Sequence, residues 1–134
     1  MTKELSKQLC VLCGMEPKYY FYDLRYKEFI EINHKTYLKL KNEYQTKEAY
    51  PDFGNPKNFI RLFNLKWYLP DDEYGTQEAG LAFYVLFNYG NSSQDWNTEG
   101  FIRILIEILQ NTRSELYIKY IKQSIREAEW VYEN

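Results

Sequence analysis

Histidine and cysteine are scarce in this sequence, with one histidine and two cysteines among 134 residues. Two cysteines exclude the dense disulfide framework of small secreted domains, and a single histidine excludes histidine-rich catalytic zinc sites. No apolar run reaches the length of about 18 residues that a membrane-spanning helix needs. The N-terminal stretch MTKELSKQLC is charged, so we expect neither a secretory signal nor a membrane anchor, and a cytoplasmic protein.

Enzyme signatures are also missing. The sequence contains no phosphate-binding loop, dinucleotide-binding fingerprint, nucleophile elbow or zinc-protease helix. Asp52-Phe53-Gly54 matches the metal-binding triplet of protein kinases, but no glycine-rich loop or catalytic-loop motif accompanies it. We therefore expect no cofactor and no catalysis. Catalysis by scattered carboxylates is the alternative, because such pairs leave no local signature.

The two cysteines form a Cys10-x-x-Cys13-Gly14 motif, a spacing found in zinc-binding turns and in redox pairs. Apolar residues at helical spacing over residues 2–13 instead place both cysteines on one face of a helix that Gly14 would end. Core packing is therefore the expected role of the thiols. A metal site would need Cys10, Cys13 and His34 with a further carboxylate or a second chain.

Aromatic residues make up 19% of the chain, including fourteen tyrosines. They are dense over residues 18–40, where apolar and polar residues alternate at 30–33 and 38–41 around a polar break that contains His34. This pattern predicts two or three antiparallel strands with His34 in a hairpin turn. Residues 19–22 add a possible earlier strand, and a helix over 24–32 is the alternative.

Capping signals predict helices in the second half of the chain. Asn55-Pro56 begins one, Thr76 another, Asn97 a third, and the capping box at 112–115 a fourth that continues to Tyr132. Their expected core positions are Phe59, Ile60, Leu62, Phe63, Phe101, Ile102, Leu105, Ile106, Leu109, Ile118, Ile121, Ile125 and Ala128. The fold class is therefore α+β in one domain, residues 1–134. It comprises an N-terminal helix, a small antiparallel sheet and a mostly helical C-terminal half ending in an antiparallel helix pair.

Two surfaces are candidates for binding. Residues 18–41 interleave six basic side chains with seven aromatics, as in proteins that stack single-stranded nucleic acid on a sheet, although three acidic residues lie among them. The nucleic-acid candidates are Lys18, Tyr19, Tyr22, Arg25, Tyr26 and Lys39. Residues 51–100 instead carry seven acidic against three basic side chains, which suits a basic groove on a protein partner. The candidates for that contact are Trp67, Tyr68, Asp71, Asp72 and Glu73, and a tyrosine-rich homodimer interface is a further alternative.

Three stretches, QLCVLCGMEPKYY, YPDFGNPKNFIRL and EAEWVYEN, resemble small uncharacterised proteins found in phages and prophages of low-GC bacteria. The resemblance covers about a third of the chain. It implies a small accessory protein made in the bacterial cytoplasm during infection. Such proteins often block host defence machinery, including CRISPR effector nucleases, by covering a basic nucleic-acid channel. The resemblance therefore implies a host protein partner and an inhibitory function.

Overall fold

A computed structural model describes residues 2–65, 98–111 and 115–132. Over these residues the chain forms α1 (Thr2–Leu12), β1 (Lys18–Asp23), β2 (Glu28–Ile32), α2 (His34–Leu40), β3 (Thr46–Ala49), α3 (Pro56–Phe63), α4 (Thr98–Asn111) and α5 (Glu115–Glu127). One antiparallel sheet among helices confirms the predicted α+β class. The predicted helix after Thr76 and the predicted cap at Asn97 lie outside the described residues. None of the described helices is both long and apolar enough to cross a membrane.

Helix α1 ends where Gly14 was predicted to end it. The Gly14 N–H donates to the Val11 carbonyl at 3.0 Å, and the Met15 N–H donates to the Cys10 carbonyl at 2.9 Å. This double pairing requires a left-handed residue at the turn, and Gly14 has a φ of +75°. The Arg126 guanidinium donates to the Cys13 carbonyl at 3.0 Å and satisfies another exposed acceptor of the helix end.

The sheet has the strand order β2-β1-β3, with both neighbours antiparallel to β1. Tyr20 at its centre lies opposite Glu31 on β2 and Lys47 on β3. Because side chains alternate along a strand, this register sorts the sheet residues onto two faces. We call them the lysine face, with Lys18, Tyr20, Tyr22, Phe29, Glu31 and Lys47, and the α2 face, with Tyr19, Phe21, Asp23, Ile30, Ile32 and Glu48.

The predicted strand around Leu38 was wrong, because residues 34–40 form helix α2. Asn33 starts that helix by accepting a hydrogen bond from the Thr36 N–H at 2.8 Å, so His34 is the first helical residue and does not lie in a hairpin turn. The third strand is instead β3, Thr46–Ala49. An edge strand with polar residues leaves little hydrophobic pattern in the sequence.

The hydrophobic core joins α1, α3, α4 and α5. It contains the predicted residues Phe101, Ile102, Leu105, Leu109, Ile121 and Ile125, together with Leu5, Leu9, Cys10, Cys13, Met15, Phe53, Leu62 and Trp130. The predicted buried face of α3 was partly wrong, because Ile60 is 59% and Phe63 is 43% exposed whereas Asn58 is fully buried. An apolar pattern over eight residues does not specify which side of the helix meets the core.

The C-terminal segment folds back onto the core after α5 ends at Glu127, five residues before the predicted end. Trp130 donates from Nε1 to the Ile125 carbonyl at 2.7 Å and covers the end of the helix. Asn58 on α3 holds the same segment through two hydrogen bonds to the backbone of Val131, each 2.8 Å long. The chain end is thereby tied to α3.

The kinase-like triplet is part of the core. Asp52 Oδ1 accepts from the Gly54 N–H at 2.8 Å and lies 3.5 Å from the Ser6 hydroxyl, which in turn accepts from the Phe53 N–H at 2.9 Å. The Phe53 ring is fully buried and meets the Trp130 ring edge-on, with centroids 4.9 Å apart. These contacts give the triplet a structural role that joins α1, the loop before α3 and the C-terminal segment.

Candidate functional site

The two thiols lie in the core, where they are poor nucleophiles. Cys10 is 0% and Cys13 is 1% exposed. Burial raises the pKa of Cys10 from its ordinary 9.0 to about 12, with a further contribution from Cys13. Burial also raises the pKa of Cys13 to about 12, although Lys122 and Arg126 act in the opposite direction. Both thiols are therefore neutral at physiological pH, and the thiolate is the form that acts as a nucleophile.

Metal-binding geometry is absent from the described part of the chain. No group of three or more His, Cys, Asp or Glu side chains there is placed to hold a metal ion. His34 stacks on the sheet instead, with its ring centroid 4.9 Å from that of Tyr19. The three candidate ligands Cys10, Cys13 and His34 are thus not brought together.

We expect the native protein to resist thiol reagents at pH about 8, because the raised pKa keeps both thiols neutral and burial blocks access. Colorimetric titration should detect both thiols only after denaturation. In the unfolded chain the thiols ionise near 9.0, whereas the folded chain keeps them neutral to about 12, so stability should fall as the pH rises between these values. Rapid labelling of the native protein would contradict this assignment.

The α2 face of the sheet is covered by an aromatic cluster. Tyr19 on β1 lies against Tyr37 of α2, with centroids 4.7 Å apart. Desolvation and then the charge of Glu48, the cross-strand neighbour of Tyr19, raise the pKa of Tyr37. This face therefore packs a helix onto the sheet, which places the predicted nucleic-acid residue Tyr19 away from the lysine face.

The lysine face combines aromatic rings with two ammonium groups. The Lys47 Nζ lies 4.1 Å from the centroid of the Phe29 ring, which packs edge-on against Tyr22 at 5.3 Å. The Lys18 Nζ lies 3.5 Å from a carboxylate oxygen of Glu31 and 4.4 Å from the centroid of the Tyr132 ring. Of these two cations, Lys18 is already paired with a carboxylate, whereas Lys47 forms no ion pair with any residue that the structure describes.

The turn between β1 and β2, residues 24–27, forms a projecting hairpin tip. Asp23 organises it from a buried position, because its Oδ1 accepts from the N–H of Arg25 at 2.8 Å and of Tyr26 at 3.4 Å. An aspartate that bonds the backbone two residues ahead is a standard turn-forming element. The tip conformation is therefore held from inside the sheet.

The hairpin tip exposes apolar and basic side chains side by side. Leu24 is 78% and Tyr26 is 68% exposed, the two highest values among the large hydrophobic residues that the structure describes. The Arg25 side chain is 86% exposed, with its Nε 3.9 Å from Asp23, and Lys27 is also exposed. Exposed large apolar groups beside cations are typical of the anchor residues of interfaces.

The predicted nucleic-acid residues are divided by this arrangement. Lys18 and Tyr22 lie on the lysine face, and Arg25 and Tyr26 lie in the hairpin tip at its end. Lys39 belongs to α2, which packs on the other face. The set predicted from the sequence therefore does not form one surface.

The sequence interpretation did not name Leu24, Lys27 or Lys47 as candidate site residues, although Lys27 is one of the six basic side chains counted over residues 18–41. The first two follow Asp23 closely, so a turn signal was available, but the alternative of a helix over 24–32 concealed it. Lys47 lies in the strand that lacked an apolar pattern. The predicted contact patch Trp67, Tyr68, Asp71, Asp72 and Glu73 lies outside the described residues.

A cleft of about 260 Å³ separates the start of α1 from β3. Lys3 and Lys7 line it from the helix, Lys47 and Glu48 line it from the strand, and Asp52 lines it from the loop that follows. Charges of both signs border the cleft, so its electrostatics do not select one class of ligand.

No protein-family model matches the chain, and neither do any curated proteins or solved structures.

Proposed function

We propose that this chain is a non-enzymatic protein-binding module that docks through its hairpin tip. The observation that carries the proposal is the exposure of Leu24 and Tyr26, at 78% and 68%, between the basic side chains of Arg25 and Lys27. Tyrosine and arginine are enriched among the few residues that supply most of the binding energy at protein interfaces. Removing Leu24 and Tyr26 from water in a partner pocket would supply the apolar part of that energy.

The fixed backbone conformation of the hairpin tip supports the same proposal. Association is weakened by the entropy lost when loops and side chains become fixed. Here Asp23 already fixes the backbone through its two hydrogen bonds to residues 25 and 26. A partner would therefore bind a preformed turn, which reduces the entropy lost on association.

A narrower proposal follows from the resemblance to phage and prophage proteins. We propose that the module acts in the cytoplasm of a bacterial host as an inhibitor of a defence nuclease complex, of the kind formed by CRISPR effectors. The negative charge of residues 51–100 supports it, because a basic nucleic-acid channel attracts carboxylates. Trp67, Tyr68, Asp71, Asp72 and Glu73 are then proposed as a second contact patch, in addition to the hairpin tip.

We expect Leu24→Ala/Tyr26→Ala to abolish capture of the partner from a bacterial host lysate. Loss of two interface anchors typically weakens binding by about 2 kcal/mol or more, which is at least about thirtyfold in Kd. Immobilised wild type and variant are compared by quantitative mass spectrometry of the retained proteins. A parallel Asp71→Lys/Asp72→Lys/Glu73→Lys variant tests the acidic patch in the same way.

The matched control is Val11→Ala/Ile60→Ala, which removes two exposed apolar side chains from α1 and α3. This control should capture the same protein as the wild type, and thermal unfolding should show that all variants are folded. Equal capture by the tip variant would refute docking through the tip. Addition of the purified chain to a cleavage assay with a purified CRISPR effector tests inhibition directly.

Single-stranded nucleic acid is the second candidate ligand. The observation that favours it is the position of Lys47, 4.1 Å from the Phe29 ring and free of any carboxylate partner among the described residues. Rings beside such a cation resemble a stacking platform with a phosphate contact. Titration of the same preparations with a labelled oligonucleotide at two salt concentrations separates the candidates, because phosphate contacts weaken steeply with salt.

A further inference from the structure

Lys27 occupies a backbone conformation that disfavours lysine. Its φ is +54°, and no other non-glycine residue in the described part of the chain has a positive φ. Glycine and asparagine adopt this left-handed region easily, whereas a side chain with a full Cβ is crowded there. Hairpin turns therefore usually place glycine or asparagine at such a position.

The hairpin requires a left-handed residue at this position, but no contact in the described part of the chain requires that residue to be lysine. Lys27 is exposed, and its ammonium makes no ion pair or hydrogen bond with any residue that the structure describes. The hydrogen bonds that shape the turn come from the N–H groups of Arg25 and Tyr26. Strained residues that the rest of the fold does not require are commonly found at functional positions.

We propose that Lys27 is present for its charge, and that the surface receiving the hairpin tip is an apolar protein pocket bordered by carboxylates. This inference rests on the proposed function and specifies the chemistry of the partner. Leu24 and Tyr26 enter the pocket, while Lys27 and Arg25 pair with acidic side chains at its rim. Lys27 is thus a specificity-determining residue, because a neutral or basic rim would leave it unpaired.

Leu24 favours a protein partner over a nucleic acid. It is the most exposed large hydrophobic side chain among the described residues, at 78%. A leucine cannot stack on a base as an aromatic ring does, and it cannot hydrogen-bond a phosphate. It would therefore contribute little to the free energy of binding a nucleic acid. In an apolar protein pocket, by contrast, burial of the whole Leu24 side chain would contribute its full hydrophobic free energy to binding. The cations beside it then match a protein rim of opposite charge.

The test separates stability from binding by changing Lys27 alone. Lys27→Asn removes the charge and relieves the strain, whereas Lys27→Arg keeps both. We expect Lys27→Asn to raise the urea midpoint of unfolding and to weaken binding by about tenfold at low salt. Lys27→Arg should leave the midpoint and the affinity unchanged. The probe is the protein captured by the wild type, purified, and the affinity is measured at low and high ionic strength.

Each outcome has a defined consequence. A smaller salt dependence for Lys27→Asn than for the wild type supports an acidic rim. Unchanged affinity of Lys27→Asn would refute the role of the charge while docking through Leu24 and Tyr26 stands. Binding of a labelled oligonucleotide by the wild type that the Leu24→Ala/Tyr26→Ala variant loses would refute a protein pocket. Wild-type affinity in the Leu24→Ala/Tyr26→Ala variant, or failure of the wild type to retain any protein, would overturn the proposed function as well.

Discussion

Replacement of Asn58 by alanine is expected to lower the free energy of unfolding by about 3 kcal/mol or more. The Asn58 side chain is 0% exposed and makes three hydrogen bonds. Its Nδ2 donates to the carbonyls of Asp52 at 2.9 Å and of Val131 at 2.8 Å, and its Oδ1 accepts from the Val131 N–H at 2.8 Å. Alanine would leave these backbone groups without partners in the core, and each such group costs about 1 kcal/mol or more.

The measurement is urea denaturation followed by circular dichroism. Asn42→Ala, an exposed asparagine after α2, is the matched control and should change stability by less than about 0.5 kcal/mol. Asn58→Asp should be still more destabilising at neutral pH, because a buried carboxylate would face two carbonyl oxygens. A loss below about 1 kcal/mol for Asn58→Ala would show that water or rearranged backbone replaces these bonds.

Replacement of Phe53 by alanine should destabilise the fold by about 3 to 5 kcal/mol, the usual range for a buried phenylalanine. The ring is 0% exposed and contacts the Trp130 ring edge-on at 4.9 Å. Alanine would remove this apolar burial, leave a cavity and remove the aromatic pair, which itself contributes about 1 kcal/mol. The midpoints of thermal and urea unfolding measure the loss.

Two further variants separate the possible reasons for such a loss. Tyr44→Ala removes an aromatic ring that is 53% exposed and should have little effect. A double-mutant cycle between Phe53→Leu and Trp130→Leu isolates the coupling of the two rings. A stable Phe53→Ala variant would refute the structural role assigned to the Asp52-Phe53-Gly54 triplet.

These stability predictions concern a different part of the molecule from the binding proposals. Asn58 and Phe53 hold α1, α3 and the C-terminal segment together, whereas Leu24 and Tyr26 are largely exposed at the hairpin tip. Changes far apart without shared partners are usually additive. Variants of the tip should therefore fold normally, which makes loss of binding in them interpretable.

Local signals in the sequence predicted several elements correctly. Gly14 predicted the end of α1, because a left-handed glycine and the residue after it form a defined set of backbone hydrogen bonds. Asn55-Pro56 predicted the start of α3, where Asn55 accepts from the Lys57 N–H at 2.9 Å. Such signals act within a few residues, so a single sequence contains them in full.

Other features depend on contacts between distant segments. The alternation around Leu38 predicted a strand, but the Asn33 cap and the packing of Tyr37 on Tyr19 place a helix there. The polar strand β3 exists because β1 supplies its hydrogen-bonding partners. Neither outcome leaves a distinct pattern in the local residues.

The candidate site likewise combines features that local sequence signals predict with features that depend on contacts between distant segments. The sequence indicated that basic and aromatic residues are concentrated over residues 18–41, and a strand over 19–22 would place Tyr19 and Tyr22 on opposite faces, but the sequence could not show which of these faces α2 covers. It also could not show that Lys27 adopts a left-handed backbone conformation. The first depends on the packing of α2 against the sheet, and the second depends on the turn that joins β1 to β2.

The sequence by itself determined the α+β class, the end of α1 and the beginning of α3, because capping groups and apolar periodicity act over one or two turns of chain. Only the tertiary structure decided that Asn58 joins α3 to the C-terminal segment and that Leu24 and Tyr26 project together beside Lys27. Burial and exposure depend on segments far apart in the chain, and a pattern of neighbouring residues does not record them.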